Sequence, residues 1–321
     1  MGETDVIDLI IREGTLLTMD PEGRLVEGGS VAVSGSRIVA ILDKGEDLSR
    51  FSAKAVIDAR GKLVMPGLIN AHRHFYSTPR GLIANRVMRN ALKEYVYPYY
   101  HAIPPEQLYY DALAIMAEMI RTGTTCFSEP GCEHIETVLR ATEKSGMRAT
   151  TGLWIWDHLG PDADKCPPDF LPLKTDEALR MMEDAIIGYD GALDGRLTVH
   201  ATIEGAGTCS DELTVGSKVL AEQYGKLSIL HKSTSIEEVE IELKAFGHRP
   251  TEHLYHIGAL GPNVLLNHAT AIDETEVGMI AETGTRICQN PSAALKLGKG
   301  TTQTGKFAEL SAAGVPISLG T

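Results

Sequence analysis

Two histidines separated by one residue follow an apolar run of the sequence. His72 and His74 stand just beyond the apolar run at residues 63–69, separated from it by Asn-Ala at 70–71. In a β-strand, residues i and i+2 point to the same face, so the two imidazoles would lie side by side at the mouth of a buried strand. Imidazole nitrogens are frequent ligands of divalent metals, and the pair could therefore chelate an ion.

Two more histidines occur in the same setting. His231 ends the apolar stretch 227–230, and His268 ends the stretch 264–267. Three strand-end histidine sites in one chain are hard to explain as ordinary core residues. Three neutral imidazoles would leave a zinc-like ion with an open position for water, whose pKa falls to about 7 in favourable sites.

A repeating pattern of short apolar strands and longer helices must position these side chains. The eight candidate strands are 64–70, 124–128, 149–156, 197–201, 227–230, 264–267, 286–289 and 315–319, and the helical patterns between them are 105–121, 135–145, 175–189, 210–224, 236–246, 273–282 and 306–313. Repeated strand–helix units indicate a parallel sheet. Residues 63–321 therefore predict a (β/α)8 TIM barrel, which takes about 250 residues and carries its active site at the carboxyl ends of the strands. An open doubly wound sheet is the alternative.

The first 62 residues have a different pattern. They contain short strands, a predicted turn at 28–30 and a hairpin-like junction at 34–36, with no helical period. We interpret residues 1–62 as a small β domain, an incomplete β-sandwich. Because the sequence stops at Thr321, the close of predicted strand eight, we expect a barrel that is truncated there and lacks its final helix. A homo-oligomer could cover the exposed strand.

Composition limits the partners and the compartment. The formal net charge of −13 argues against nucleic acid or an anionic membrane as a partner, so a small-molecule substrate is expected. Five cysteines with no Cys-x-x-Cys spacing argue against a disulfide framework and favour a reducing compartment. The sequence has no signal-peptide pattern and no apolar run near the ~20 residues of a membrane span. We predict a cytoplasmic protein.

Six short motifs together resemble the amidohydrolase superfamily, in its branch of metal-dependent deaminases and triazine chlorohydrolases. The motifs are Val-Ile-Asp-Ala at 56–59, Pro-Gly-Leu-Ile-Asn-Ala-His at 66–72, Gly-Thr-Thr at 123–125, Leu-Gly-Pro at 260–262, Asn-Pro-Ser at 290–292 and Leu-Gly-Thr at 319–321. Their order matches the family across essentially the whole chain. The combination is highly specific, whereas any one motif alone would be weak.

The resemblance implies a role for each strand-end histidine. His72, His74 and His231 would bind one divalent metal ion, most often zinc and in some members iron, cobalt or manganese. His268 would orient or deprotonate the attacking water, and His200, after strand four, would touch the substrate. The implied reaction is hydrolysis of a C–N or carbon–halogen bond in a small heterocyclic or amide-like molecule.

The chain departs from the family at two functional positions. The family's last metal ligand, an Asp, directly follows the Gly-Thr at which this sequence ends. Thr234, a candidate substrate-binding residue, stands where deaminases carry the Glu that protonates a ring nitrogen. Glu204, following strand four, is also a candidate substrate-binding residue and could replace that Glu as the proton shuttle, although a solvated loop acid is the alternative. A purine or pyrimidine deaminase, and a non-catalytic relative or inactive fragment, therefore stay open as other functions.

Two weaker features complete the candidate list. Glu129 ends strand two and would either accept a hydrogen bond from a ligand histidine or form a structural salt bridge. His253 and His256 lie three apart in a helical segment, a spacing that allows chelation, but we interpret them as surface residues.

Overall fold

The computed structural model describes residues 5–75, 97–160, 171–205, 207–300 and 304–321. Within the chain, two compact units are separated: Met1–Gly67 and Leu68–Thr321. The second unit contains every strand-end histidine identified from the sequence.

The first unit is a five-stranded sheet. Its strands are β1 (Asp5–Leu17), β2 (Leu25–Ser34), β3 (Arg37–Leu42), β4 (Phe51–Asp58) and β5 (Leu63–Val64). They lie in the order β3-β2-β1-β4, with β5 pairing β1. Neighbours β1–β2 and β2–β3 are antiparallel, whereas β4 and β5 run parallel to β1. Ile7, Ile10 and Ala32 form a small buried core on this sheet.

One of the two predicted junctions in this unit is wrong. The hairpin at 34–36 is present, since Ser34 pairs with Arg37 across β2 and β3. Residues 28–30 do not form a turn, because they lie inside β2. A side chain on Gly29 would come within 2.7 Å of Val26 and 2.9 Å of the carbonyl oxygen of Leu42. The glycine therefore permits close packing within the sheet rather than a change of direction.

Within its described residues, the second unit contains nine strand segments that are parallel to their neighbours. They are β6 (Leu68–Asn70), β7 (Thr124–Ser128), β8 (Arg148–Thr151), β9 (Leu197–Val199), β10 (Ala201–Thr202), β11 (Ser228–Lys232), β12 (Val264–His268), β13 (Arg286–Gln289) and β14 (Ile317–Leu319). Their order is β6-β7-β8-β9 in one sheet and β10-β11-β12-β13-β14 in the other. Segments β9 and β10 are one strand interrupted at His200.

Backbone hydrogen bonds also join the first and last strands. The Ala71 amide donates to Leu319 O at 2.9 Å, and the Thr321 amide donates to His72 O at 3.0 Å. Sequential parallel strands whose ends meet in this way form a TIM-barrel-like α/β fold, as predicted. The open-sheet alternative is therefore wrong.

Helices occupy the connections between strands. They are α1 (Tyr97–Ala102), α2 (Pro105–Arg121), α3 (Ile135–Ser145), α4 (Thr175–Tyr189), α5 (Ala192–Gly195), α6 (Asp211–Gln223), α7 (Ile236–Phe246), α8 (Pro250–His256), α9 (Glu274–Thr283), α10 (Pro291–Leu297) and α11 (Phe307–Ala312). Their ends follow local chemistry. Ser210 caps α6, Asp273 and Glu276 form a capping box at α9, and a left-handed Gly146 ends α3.

Two of the predicted strands differ most from the observed ones. The segment 64–70 is divided around Pro66, so that Val64 pairs with β1 while Leu68–Asn70 form the first barrel strand. Strand three ends at Thr151 rather than continuing to residue 156. Among the described residues, no helix has both the length and the apolar character needed to cross a bilayer.

Candidate metal centre

All three histidines predicted as metal ligands converge at the carboxyl ends of two barrel strands. His72 and His74 follow β6, and His231 lies near the end of β11; their ligand nitrogens all lie within 4.8 Å of one another. Ring centroids are 4.8 Å apart for His72–His74, 5.1 Å for His72–His231 and 5.3 Å for His74–His231. His72 and His231 are buried, and His74 is 15% exposed. The rings therefore face one common point.

The nitrogen positions fit a metal ion. Nε2 of His74 lies 3.2 Å from Nε2 of His231. Tetrahedral zinc with Zn–N bonds of 2.0–2.1 Å sets its nitrogen ligands about 3.3 Å apart. Two facing imidazole nitrogens at this distance share either a hydrogen-bonding proton or a metal ion. Nδ1 of His72 is also buried without a hydrogen-bond partner in the described ranges.

Neighbouring oxygens orient two of the rings. The main-chain oxygen of Glu204 lies 3.1 Å from Nδ1 of His231, and a carbonyl oxygen can only accept. This fixes the proton of neutral His231 on Nδ1 and leaves Nε2 free to bind a cation. Oε1 of Glu129 lies 3.3 Å from Nδ1 of His74, and its Oε2 accepts the Gly131 amide at 2.8 Å. Of the two roles open for Glu129, the structure favours orientation of a ligand histidine.

His268 stands beside the three converging histidines in a strained backbone conformation. Its ring centroid is 5.2 Å from that of His72 and 5.5 Å from that of His231. Its φ is +80°, which is uncommon for a residue with a side chain and typical of functional sites. The side-chain amide of Asn290 lies 3.3 Å from Nδ1 of His268. An amide N–H donated there places the proton of neutral His268 on Nε2.

A glycine directly after the last strand segment makes room for His72. A side chain on Gly320 would meet Cβ of His72 at 2.5 Å, its backbone nitrogen at 2.8 Å and Oδ1 of Asn290 at 2.4 Å. The neighbouring Thr321 amide holds the His72 carbonyl. The residues that follow the last barrel strand therefore pack directly against His72, the first predicted metal ligand.

Burial and one lysine determine the electrostatics of the centre. Burial lowers the pKa of His72, His74 and His268 well below 6.5 and lowers the pKa of His231 to about 4. The positive charge of Lys299 adds to this effect on all four. These imidazoles are therefore neutral at pH 7, the form that binds metals.

Lys299 itself was not identified from the sequence. It follows α10, and its amide donates to Ala294 O at 2.9 Å. Burial lowers the pKa of its ammonium group to about 8, against the opposing charges of Glu238 and Glu204. The surrounding Leu-Gly-Lys-Gly is an ordinary loop pattern, so no sequence signal indicated that the charge of this lysine acts on four histidines.

The remaining predicted site residues are placed differently from one another. Glu204 is 5% exposed and accepts the Thr208 hydroxyl at 2.9 Å, so the solvated-acid interpretation is wrong. The Thr234 amide donates to Glu238 at 2.6 Å, which fixes the loop after β11. His200 lies apart from the converging histidines. Its Nδ1 accepts the Leu227 amide at 3.3 Å, and burial, then the charge of Lys226, lowers its pKa to about 4.

The fold and this site define a TIM-barrel protein with a candidate histidine metal centre at the carboxyl ends of its strands. The model of the amidohydrolase family matches residues 63–321. The chain therefore belongs to the amidohydrolase family, which confirms the resemblance inferred from the motifs.

Relatives of similar sequence carry deaminase names. A 5-methylthioadenosine/S-adenosylhomocysteine deaminase of Syntrophobacter fumaroxidans is 33% identical, over 98% of this chain and 68% of the relative. A 5'-deoxyadenosine deaminase of Methanosarcina mazei is 31% identical, over 98% and 68%.

Two solved structures have the same fold. An adenosine deaminase from Xanthomonas campestris with bound zinc has a TM-score of 0.84 at 26% identity, covering 99% of this chain and 69% of that one. Atrazine chlorohydrolase from Arthrobacter aurescens, complexed with zinc, has a TM-score of 0.85 at 22% identity, covering 98% and 71%.

Proposed function

We propose that the chain is a metal-dependent hydrolase that cleaves a C–N or carbon–halogen bond in a small heterocyclic or amide-like molecule. The observation that carries the proposal is the convergence of His72, His74 and His231 on one point beside His268. Family membership and the zinc-bound structures of similar fold support it.

His72, His74 and His231 would hold one divalent ion, for which zinc is the first candidate and iron, cobalt and manganese are alternatives. Such an ion acidifies water and polarises the substrate when it is bound. With the ion bound, Glu129 and the Glu204 carbonyl would accept protons from Nδ1 of His74 and of His231, which leaves each Nε2 available as a ligand.

The other side chains would act on water and substrate. Because Nδ1 of His268 accepts from the Asn290 amide, His268 would first donate from Nε2 to orient the attacking water. It would accept a proton only after the hydrogen bond from Asn290 to Nδ1 is broken. Glu204 would form a hydrogen bond with the leaving group of the substrate. The predicted substrate contacts of His200 and Thr234 stay proposals, and the position of His200 against Leu227 makes its contact the weaker one.

A second candidate is deamination of an adenosine-type substrate. Two relatives at 31–33% identity over 98% of this chain carry such names, and this observation favours the purine over the pyrimidine class. Thr234 opposes it, because a Glu at that position supplies the ring proton in the deaminases that the chain resembles. Under this proposal Glu204 must supply the proton instead.

Metal content and turnover would test both functions. Chain purified without chelator should hold at least half an equivalent of tightly bound metal, and His72→Ala should lose it while His134→Gln keeps it. Ammonia release from adenosine, 5'-deoxyadenosine and methylthioadenosine would identify the deaminase, whereas turnover of amides, cyclic ureas or triazines would favour the broader hydrolase.

A metal-loaded chain that turns over none of these compounds would favour the non-catalytic alternative. The coding sequence beyond Thr321 tests the expected Asp ligand directly, because the family carries it at the next position.

Limited proteolysis would test the proposed division into a small β-sandwich at 1–62 and a barrel at 63–321. Cell fractionation and light scattering would test the predicted cytoplasmic location and homo-oligomer.

A further inference from the structure

A second group of metal-ligating side chains lies on α8, outside the barrel centre. His248 precedes the helix, Glu252 lies in its first turn, and His256 is its last residue. The spacing of four residues puts Glu252 and His256 on one side of the helix, and His248 stands four residues before Glu252. None of them was assigned to the hydrolytic site.

Their ligand atoms surround one point. Oε1 of Glu252 lies 3.4 Å from Nδ1 of His248 and 3.7 Å from Nε2 of His256. The two imidazole centroids are 4.4 Å apart, with 48° between the ring planes, and the three ligand atoms all lie within 4.8 Å of one another. These separations exceed normal hydrogen-bond lengths of 2.7–3.2 Å. They are close to the distance of about 3.3 Å between the ligand atoms of a tetrahedral zinc ion.

The helix cap orients the carboxylate of this group. Oε2 of Glu252 accepts the Arg249 amide at 3.1 Å, which leaves Oε1 directed at both histidines. The Arg249 guanidinium does not compensate that charge, because it binds Glu276 at 2.7 Å and the Ala271 carbonyl at 3.0 Å. The Glu252 carboxylate oxygen and the two imidazoles therefore share a point to which Arg249 supplies no cation.

The neighbouring His253 is occupied elsewhere. Its Nε2 lies 2.7 Å from Asp211, and its ring stacks on Phe246 with centroids 4.3 Å apart. The pair His253–His256 considered from the sequence is therefore not the chelating pair. His248, eight residues before His256, takes that place.

We propose that His248, Glu252 and His256 bind one divalent transition-metal ion of the zinc, nickel and copper class. Two imidazoles and one carboxylate match the ligand preference of these ions, and three protein ligands leave room for water. The side chains are 41%, 29% and 46% exposed, so an ion can enter from solvent. The site shares no ligand with the barrel centre and does not depend on the proposed hydrolase function.

Zinc titration of the whole chain tests the proposal. Equilibrium dialysis with elemental analysis should give one more zinc per chain for the parent than for His248→Gln/His256→Gln. The control His134→Gln removes a histidine outside both groups and should match the parent. Glu252→Gln should weaken the additional site at least tenfold.

Two further measurements make the outcome decisive. Copper added to protein that holds one zinc per chain should give an electron paramagnetic resonance spectrum with nitrogen couplings in the parent and without them in the double variant. With chelator present, parent and double variant should share a thermal midpoint, and zinc should raise it further in the parent. Equal zinc stoichiometry and equal copper spectra in the two proteins would overturn the proposal.

Discussion

Glu129→Gln tests whether the carboxylate after strand β7 supports the candidate metal centre. In the structure its two oxygens have separate partners, the Gly131 amide at 2.8 Å and Nδ1 of His74 at 3.3 Å. Burial raises the pKa of Glu129 well above its ordinary value, which favours the neutral acid in the metal-free protein. Glutamine resembles that acid, because its oxygen can accept from Gly131 while its NH2 donates to His74.

A bound metal changes what the residue must do. When His74 binds an ion through Nε2, its Nδ1 carries a proton and needs an acceptor, and glutamine cannot accept there while also accepting from Gly131. Loss of such a partner typically weakens metal affinity about 10–100-fold, or about 1.4–2.7 kcal/mol. The free energy of unfolding of the metal-free variant should change by less than about 1 kcal/mol, since no hydrogen bond is lost there.

Competition with a chromophoric chelator would measure zinc affinity, and urea unfolding with a chelator present would measure stability. Asp111→Asn is the matched control, because Asp111 is a buried carboxyl that accepts from Gln107 and is not part of the metal centre. It should leave zinc affinity unchanged. Zinc affinity within twofold of the parent in Glu129→Gln would refute the argument that Glu129 orients His74.

Three other predictions follow from the packing. Gly320→Ala should displace His72 and lower zinc affinity at least about tenfold in the same competition assay, because the added Cβ would lie 2.5 Å from the His72 Cβ. The pKa of His200 is about 4 in the folded chain and 6.5 ordinarily, so on acidification the unfolded chain takes up a proton at this residue before the folded chain does. The free energy of unfolding should therefore fall as the pH drops from 6.5 towards 4. His200→Gln should reduce that fall by up to about 3 kcal/mol in urea titrations, and an unchanged slope would contradict the argument. Lys232 and Glu242 form a buried ion pair, with Nζ 2.5 Å from Oε1. Lys232→Met should therefore lower the free energy of unfolding by about 3–5 kcal/mol, because Glu242 stays buried without its partner. A double variant with Glu242→Leu should recover most of this stability.

The sequence alone indicated the elements that position the site. The bounds of α2, α3, α4 and α7 agree with the predicted helices, because periodic apolar residues, caps and terminal glycines are local signals. The strand-end position of His72, His74, His231 and His268 was also readable. In a parallel barrel the carboxyl ends of all strands meet at one rim, so position along the strand predicts proximity.

The tertiary structure decided which side chains face the centre. His200 also ends an apolar run, but the strand is interrupted there and its ring bonds the Leu227 amide instead. Lys299 acts on the histidines from a loop whose sequence carries no signal, and Glu129 reaches His74 across 55 residues. Such contacts depend on loop paths and side-chain directions, which are set by packing between distant segments and not by the local period of the chain.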